Sequence, residues 1–177
     1  MSGCSRRTGR WCTKWCATDG SAMHAPSEAV IDTALLVIGY GNTLRQDDSV
    51  GPRVAERIKA RHLRGVHTLI CTQLAPEHAE PVSRARTVVF VDAAAGALRQ
   101  VRLQRIAPGE STQLLAHAAA PATVLALARD VYGRAPEAWW LTIPAVHLGF
   151  GTELSVTAQR GAARAVREIV RLAEAPA

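Results

Sequence analysis

The sequence predicts an α/β fold, a mostly parallel sheet with helices on both faces. Three observations carry this. Short apolar runs recur at residues 35–38, 87–91 and 139–143, the pattern of buried strands, and residues 66–71 alternate well enough for another. Stretches with helical period follow near Val50, at Pro121 and after Ser155. Within residues 34–174 no repeat or low-complexity linker interrupts the alternation, which argues for helices packed on a sheet.

The chain has 177 residues, which suits one domain, 34–175, behind an N-terminal tail, 1–33. A hydrophobic content of 48% with 20% charged residues is that of a globular protein and excludes a disordered one. No apolar run reaches membrane-spanning length, and the basic start lacks the apolar core of a secretory signal, so a cytoplasmic location is the default expectation. The net charge of +6 does not imply nucleic acid. Residues 1–22 hold half of it, and the other arginines scatter over helix faces without a basic, aromatic-laced stripe. Three of the four cysteines, Cys4, Cys12 and Cys16, lie in the tail at a spacing that matches no zinc pattern. The tail is expected to be disordered or a mis-assigned start, with Met23 as the alternative initiator.

The first strand, 35–38, runs into Gly39-Tyr40-Gly41-Asn42, where two glycines permit a sharp turn and the approach of another group. The adjacent acids Asp47 and Asp48 come next. In the helix that follows, Val50, Val54, Ala55 and Ile58 form the apolar stripe, while Arg53, Glu56, Arg57 and Lys59 take the other face. Asp47, Asp48 or Ser49 can cap it, and Pro52 suits its first turn. The turn is not a dinucleotide fingerprint. A third glycine is missing, the helix opens late, and two carboxylates would face any phosphate. Carboxylates at the carboxyl end of a strand suit a cation better.

The second strand, 66–71, ends at Cys71, and Pro76-Glu77 opens a helix that Pro81 shortens. The third, 87–91, is followed by Asp92, again an acid at the edge where open α/β sheets bind ligands. Residues 101–106 alternate as an edge strand would, and Pro108-Gly109 turns the chain. His117 stands among alanines, four residues before a helix that opens at Pro121, carries Val124, Leu125, Leu127, Ala128 and Val131, and stops at Gly133. The last strand, 139–143, is expected to end at Pro144. Ser155 caps the final helix, whose stripe is Val156, Ala162, Ala163, Val166, Ile169, Val170 and Leu172.

The stretch Gly39-x-Gly41-Asn42-x-Leu44-x-x-Asp47-Asp48-x-x-Gly51 resembles the N-terminal signature of the nickel–iron hydrogenase maturation proteases. Leu74-Ala75-Pro76-Glu77, the Val-Asp-Ala ending at Ala93, His117 with Pro121, and Phe150-Gly151-x-x-Leu154-Ser155 resemble later blocks of that family, in order. The resemblance implies a three-layer αβα fold around a twisted, mostly parallel five-stranded sheet. It implies an endopeptidase that removes the C-terminal extension of a hydrogenase large-subunit precursor. Nickel would be carried by the substrate, with no resident cofactor, no nucleic acid and no membrane among its partners. By resemblance Asp48 and His117 grip that nickel. The family's third ligand is acidic, but here Cys71 stands at that position, leaving Cys71, Gln73, Glu77 and Asp92 as alternatives. Gly39, Gly41, Asn42 and Gln73 would line the substrate, and Asp47, Asp48 or Asp92 would act as base. No serine-nucleophile elbow and no His-Glu-x-x-His is present. The turn is similar also to that of peptidyl-tRNA hydrolases, which need a His-Asn pair where this chain has Asp47-Asp48. A nickel-binding accessory that holds the precursor without cutting it is the non-enzymatic alternative.

Overall fold

The computed structural model describes residues 33–96, 98–109 and 120–175. His117, Met23 and the tail cysteines Cys4, Cys12 and Cys16 lie outside the described residues. The elements run β1 (Thr33–Tyr40), a 3-10 turn (Gln46–Ser49), α1 (Val50–Lys59), β2 (Val66–Cys71), a second 3-10 turn (Pro76–His78) and α2 (Ala79–Ser83). They continue with β3 (Ala85–Ala95), β4 (Arg102–Ile106), α3 (Pro121–Tyr132), β5 (Glu137–Ala145) and α4 (Val156–Glu174). The five strands form one sheet in the order β2-β1-β3-β5-β4. All neighbours are parallel except β4, which pairs antiparallel with β5 at the edge.

Alternation along the central strands makes two cores. Leu35 and Val37 of β1, Val89 and Val91 of β3, and Leu141 and Ile143 of β5 face α1 and α4. Leu36, Ile38 and Tyr40, with Val88 and Phe90, face α2 and α3 on the other side. Helices on both faces explain why the central strands read as continuous apolar runs. The α1 stripe is buried as its period predicts. In α4 the buried face is Ala158, Gly161, Ala162, Ala165, Val166 and Ile169, whereas Val156 and Ala163 are exposed. Val131 of α3 is likewise 66% exposed. Pro144 does not end β5. It pairs with Ala94, beyond the stretch 138–142 that β4 covers, so its missing N–H removes no bond to β4.

The order places neighbours of β1 on both its sides, β2 and β3, reached by helices on opposite faces. The crevice at the carboxyl ends of β1 and β3 is therefore the topological switch point, where open α/β sheets bind ligands. Three glycines seat the start of α1 on this crevice. A Cβ on Gly39 would lie 2.2 Å from Gly51 O, and one on Gly51 only 2.4 Å from Tyr40 O and 2.5 Å from Val91 O. Gly41, at φ 140°, would meet Asp48 O at 2.0 Å. The group that the glycines admit is thus the protein's own backbone. Gly51→Ala should cost about 1–3 kcal/mol by overpacking, since rigid backbone oxygens must move. Urea denaturation checks this, and an unchanged midpoint would contradict it.

Candidate functional site

The turn after β1 is fixed by the turn after β5. Gln46 N–H donates to Gly151 O at 2.8 Å, Gly151 N–H to Leu44 O at 2.9 Å, and Asp47 N–H to His147 O at 3.0 Å. Arg45 Nε reaches Leu148 O at 3.0 Å, and Arg53 donates to Ser49 Oγ and Thr152 O. Gln46 is held at a φ of 30°, a left-handed conformation that a non-glycine residue adopts only when its surroundings impose it. Two loops a hundred residues apart therefore form one rigid rim.

The two adjacent aspartates part here. Asp47 is fully buried. Its Oδ2 accepts from Val146 N (2.9 Å), His147 N (3.0 Å) and Ser155 Oγ (2.8 Å), and its Oδ1 from Ser155 N (2.7 Å). Burial alone would raise its pKa, but the donors from His147, Ser155 and Val146 outweigh burial and hold it below the ordinary aspartate value. Asp47 thus ties the two loops of the rim together, whereas the other two candidate bases, Asp48 and Asp92, are only partly buried. Ser155 links Asp47 to α4, since its Oγ also accepts from Ala158 N at 3.1 Å as the helix cap. The cap expected on α1 does not form. Asp48 turns away from the helix, and Ser49 Oγ donates to Gln46 O.

Asp48 is half-buried, on the turn that joins β1 to α1. Its Oδ2 accepts from Asn42 N at 2.8 Å, while Oδ1 has no hydrogen bond among the described residues. The Asn42 side chain accepts from Leu44 N–H at 2.9 Å, closing the turn that presents the acid. Gly39 and Gly41 are buried, and Gly41 N–H is shared between Cys71 O (3.2 Å) and Thr72 O (3.1 Å). These glycines shape the crevice by close packing against Gly51 and Asp48.

Asp92 lies inside β3, which extends past the predicted end at Val91 to Ala95. It accepts from Tyr40 Oη at 3.0 Å. Burial pushes its pKa up to about 6, with the Asp48 charge adding to the rise and the Tyr40 and Ala93 donors opposing it. The Tyr40 hydroxyl is raised in turn, first by burial and then by Asp92. The buried Trp140 Nε1 has no acceptor among the described residues, and the Trp140 side chain opposes that rise. Tyr40 was hidden in the Gly-Tyr-Gly turn of the sequence. Its even-numbered phase with Leu36 and Ile38 is the signal that puts it on the Asp92 face.

Cys71 is half-buried at the end of β2, and its thiol is pushed up by burial and by the Glu77 charge. Gln73 and Glu77 are exposed. Among the described residues, which do not include His117, no three His, Cys, Asp or Glu side chains gather as a metal site. Around the crevice the rim exposes apolar side chains, Leu44 at 63%, Val146 at 58% and Phe150 at 91%.

Neither a protein-family model nor a curated protein matches the sequence. Solved structures do match in fold. The hydrogenase maturating endopeptidase HybD from E. coli superimposes with a TM-score of 0.64 at 20% identity, over 79% of this chain and 91% of that one. The [NiFe] hydrogenase maturation protease HycI from Thermococcus kodakarensis KOD1 gives 0.63 at 22% identity, over 81% and 94%. The maturation protease HybD from Thermococcus kodakarensis gives 0.61 at 22% identity, over 80% and 100%. The chain has the fold of the [NiFe] hydrogenase maturation proteases.

Proposed function

We propose that this protein is an endopeptidase that shortens a hydrogenase large-subunit precursor by recognising nickel already loaded in that substrate. The observation that carries the reading is Asp48, fixed by Asn42 N–H at the switch point of a maturation-protease fold with one carboxylate oxygen open. An oxygen ligand so held, with an imidazole from His117, suits a borderline cation. In this reading the substrate's own ligands supply the rest of the coordination. A polypeptide substrate is further supported by the rigid rim that holds Leu44, Val146 and Phe150 in water.

Asp92 is the proposed base. Its pKa of about 6 keeps it ionised at neutral pH yet near the optimum for proton transfer. Water attacks the scissile carbonyl carbon and gives its proton to Asp92. The C–N bond then breaks, and Asp92 returns the proton to the departing amine. Tyr40 holds the carboxyl in place throughout. Asp92→Asn keeps an acceptor for Tyr40 and removes the ionisable group. Ionising Asp92 opposes folding because its folded pKa is raised, so wild-type stability declines as pH rises from about 4 through about 6. The variant should therefore melt higher than wild type at pH 8, match it at pH 4, and lose trimming. Equal melting at both pH values would contradict the assignment.

Incubation with purified nickel-loaded precursor and intact-mass spectrometry tests the function itself. A shortened precursor is expected. A precursor that binds but keeps its mass would make the protein a non-cutting accessory.

A further inference from the structure

Near the ends of β3 and β5, on the α4 side of the sheet, a cavity of about 300 Å³ is walled by three arginines. Arg99 comes from the β3–β4 connection, and Arg160 and Arg164 stand one turn apart on α4. Val101 and Pro144 supply apolar lining. Gly161 sits between the two helical arginines, where a Cβ would lie 2.5 Å from Ile143 Cγ2, so α4 settles this closely onto β5 only with glycine there. Among the described residues no carboxylate lines the cavity, and none of the three guanidiniums makes an ion pair or hydrogen bond. Other arginines of the chain do find acids: Arg84 with Glu80, Arg105 with Glu137, and Arg171 with Glu168.

Like charges at i, i+4 disfavour a helix, and a third cation from another element adds to the repulsion. A concave surface concentrates that field on whatever enters it, and the guanidinium fork matches a carboxylate with two parallel hydrogen bonds. We propose that this cavity is a docking site for the carboxylates of an acidic polypeptide segment, separate from the Asp48–Asp92 crevice. The identity of the partner rests on the peptidase reading; the binding does not. Pro144 lines the cavity, and two and three residues on, Val146 and His147 donate to Asp47. An acidic chain docked there would rest its apolar parts on Val101 and Pro144.

Fluorescence anisotropy of the full chain with dye-labelled hexaglutamate tests this. Saturable binding is expected in low salt. It should weaken at least tenfold in the Arg160→Ala/Arg164→Ala variant and with Arg99→Ala, and fade as salt rises. All three residues are exposed, so these variants keep the fold, which circular dichroism verifies. Absence of saturable binding, unchanged affinity in the variants, displacement by an equal concentration of inorganic phosphate, or tighter binding of an oligothymidylate of equal charge overturns the proposal. If the precursor is the partner, the double variant raises KM for trimming and leaves kcat unchanged. A protein that binds hexaglutamate yet never shortens the precursor contradicts the peptidase reading alone.

Discussion

Asp47→Ala is expected to lower the melting temperature by roughly 10 °C. The substitution strips the acceptor from three backbone N–H groups, at Val146, His147 and Ser155, and from the Ser155 hydroxyl. Each buried donor left unpaired costs about 1–3 kcal/mol, and local opening to water recovers part of that. A net loss of about 3–5 kcal/mol is the expected result, which corresponds to that thermal shift in a domain of this size. The same carboxylate ties stability to pH. Its folded pKa is depressed, so its contribution is present above the unfolded value of ~3.9 and is lost as pH falls through the lower folded value. Wild type should accordingly lose more stability than the variant on acidification below pH 4. Thermal melts of both proteins across that range are the check, and parallel curves would contradict the anchoring role.

Asp48→Ala is expected to do the opposite. Asp48 is half-buried and accepts from one donor, Asn42 N, so its loss costs on the order of 1 kcal/mol and the fold remains. Trimming of nickel-loaded precursor should fall by more than ~100-fold, since even residues that only support a metal's ligands are worth 10–100-fold. His117→Ala should match it in activity. A melting temperature near wild type together with lost trimming separates a ligand from an anchor. Full trimming by Asp48→Ala would remove the metal-docking mechanism.

Adjacent aspartates with such different expected effects show where the sequence stops being informative. Strand runs, the α1 stripe, the span Pro121–Tyr132 and the Ser155 cap are local patterns, and the fold follows them. Asp47 and Asp48 are chemically identical in the chain. What distinguishes them is a set of donors at Val146, His147 and Ser155, about a hundred residues downstream, which no local pattern reports. The glycines are read locally for a related reason. Gly39, Gly41 and Gly51 mark a close approach, and the approaching atoms that the structure shows belong to β1, β3, α1 and the 3-10 turn before it. Asp92 reads as an acid just past a strand, but it lies inside β3, where the Tyr40 hydroxyl donates to it from the neighbouring strand. Arg99, Arg160 and Arg164 read as scattered surface charge until the packing of α4 on β5 brings them around one cavity.

Asp48 at the switch point is proposed to sense the metal that the precursor carries, and one comparison tests that most directly. The same hydrogenase large-subunit precursor is prepared with and without nickel, incubated with wild-type protein, and weighed by intact-mass spectrometry. Shortening of the nickel-loaded form alone is the predicted result. Equal shortening of the nickel-free form would contradict it.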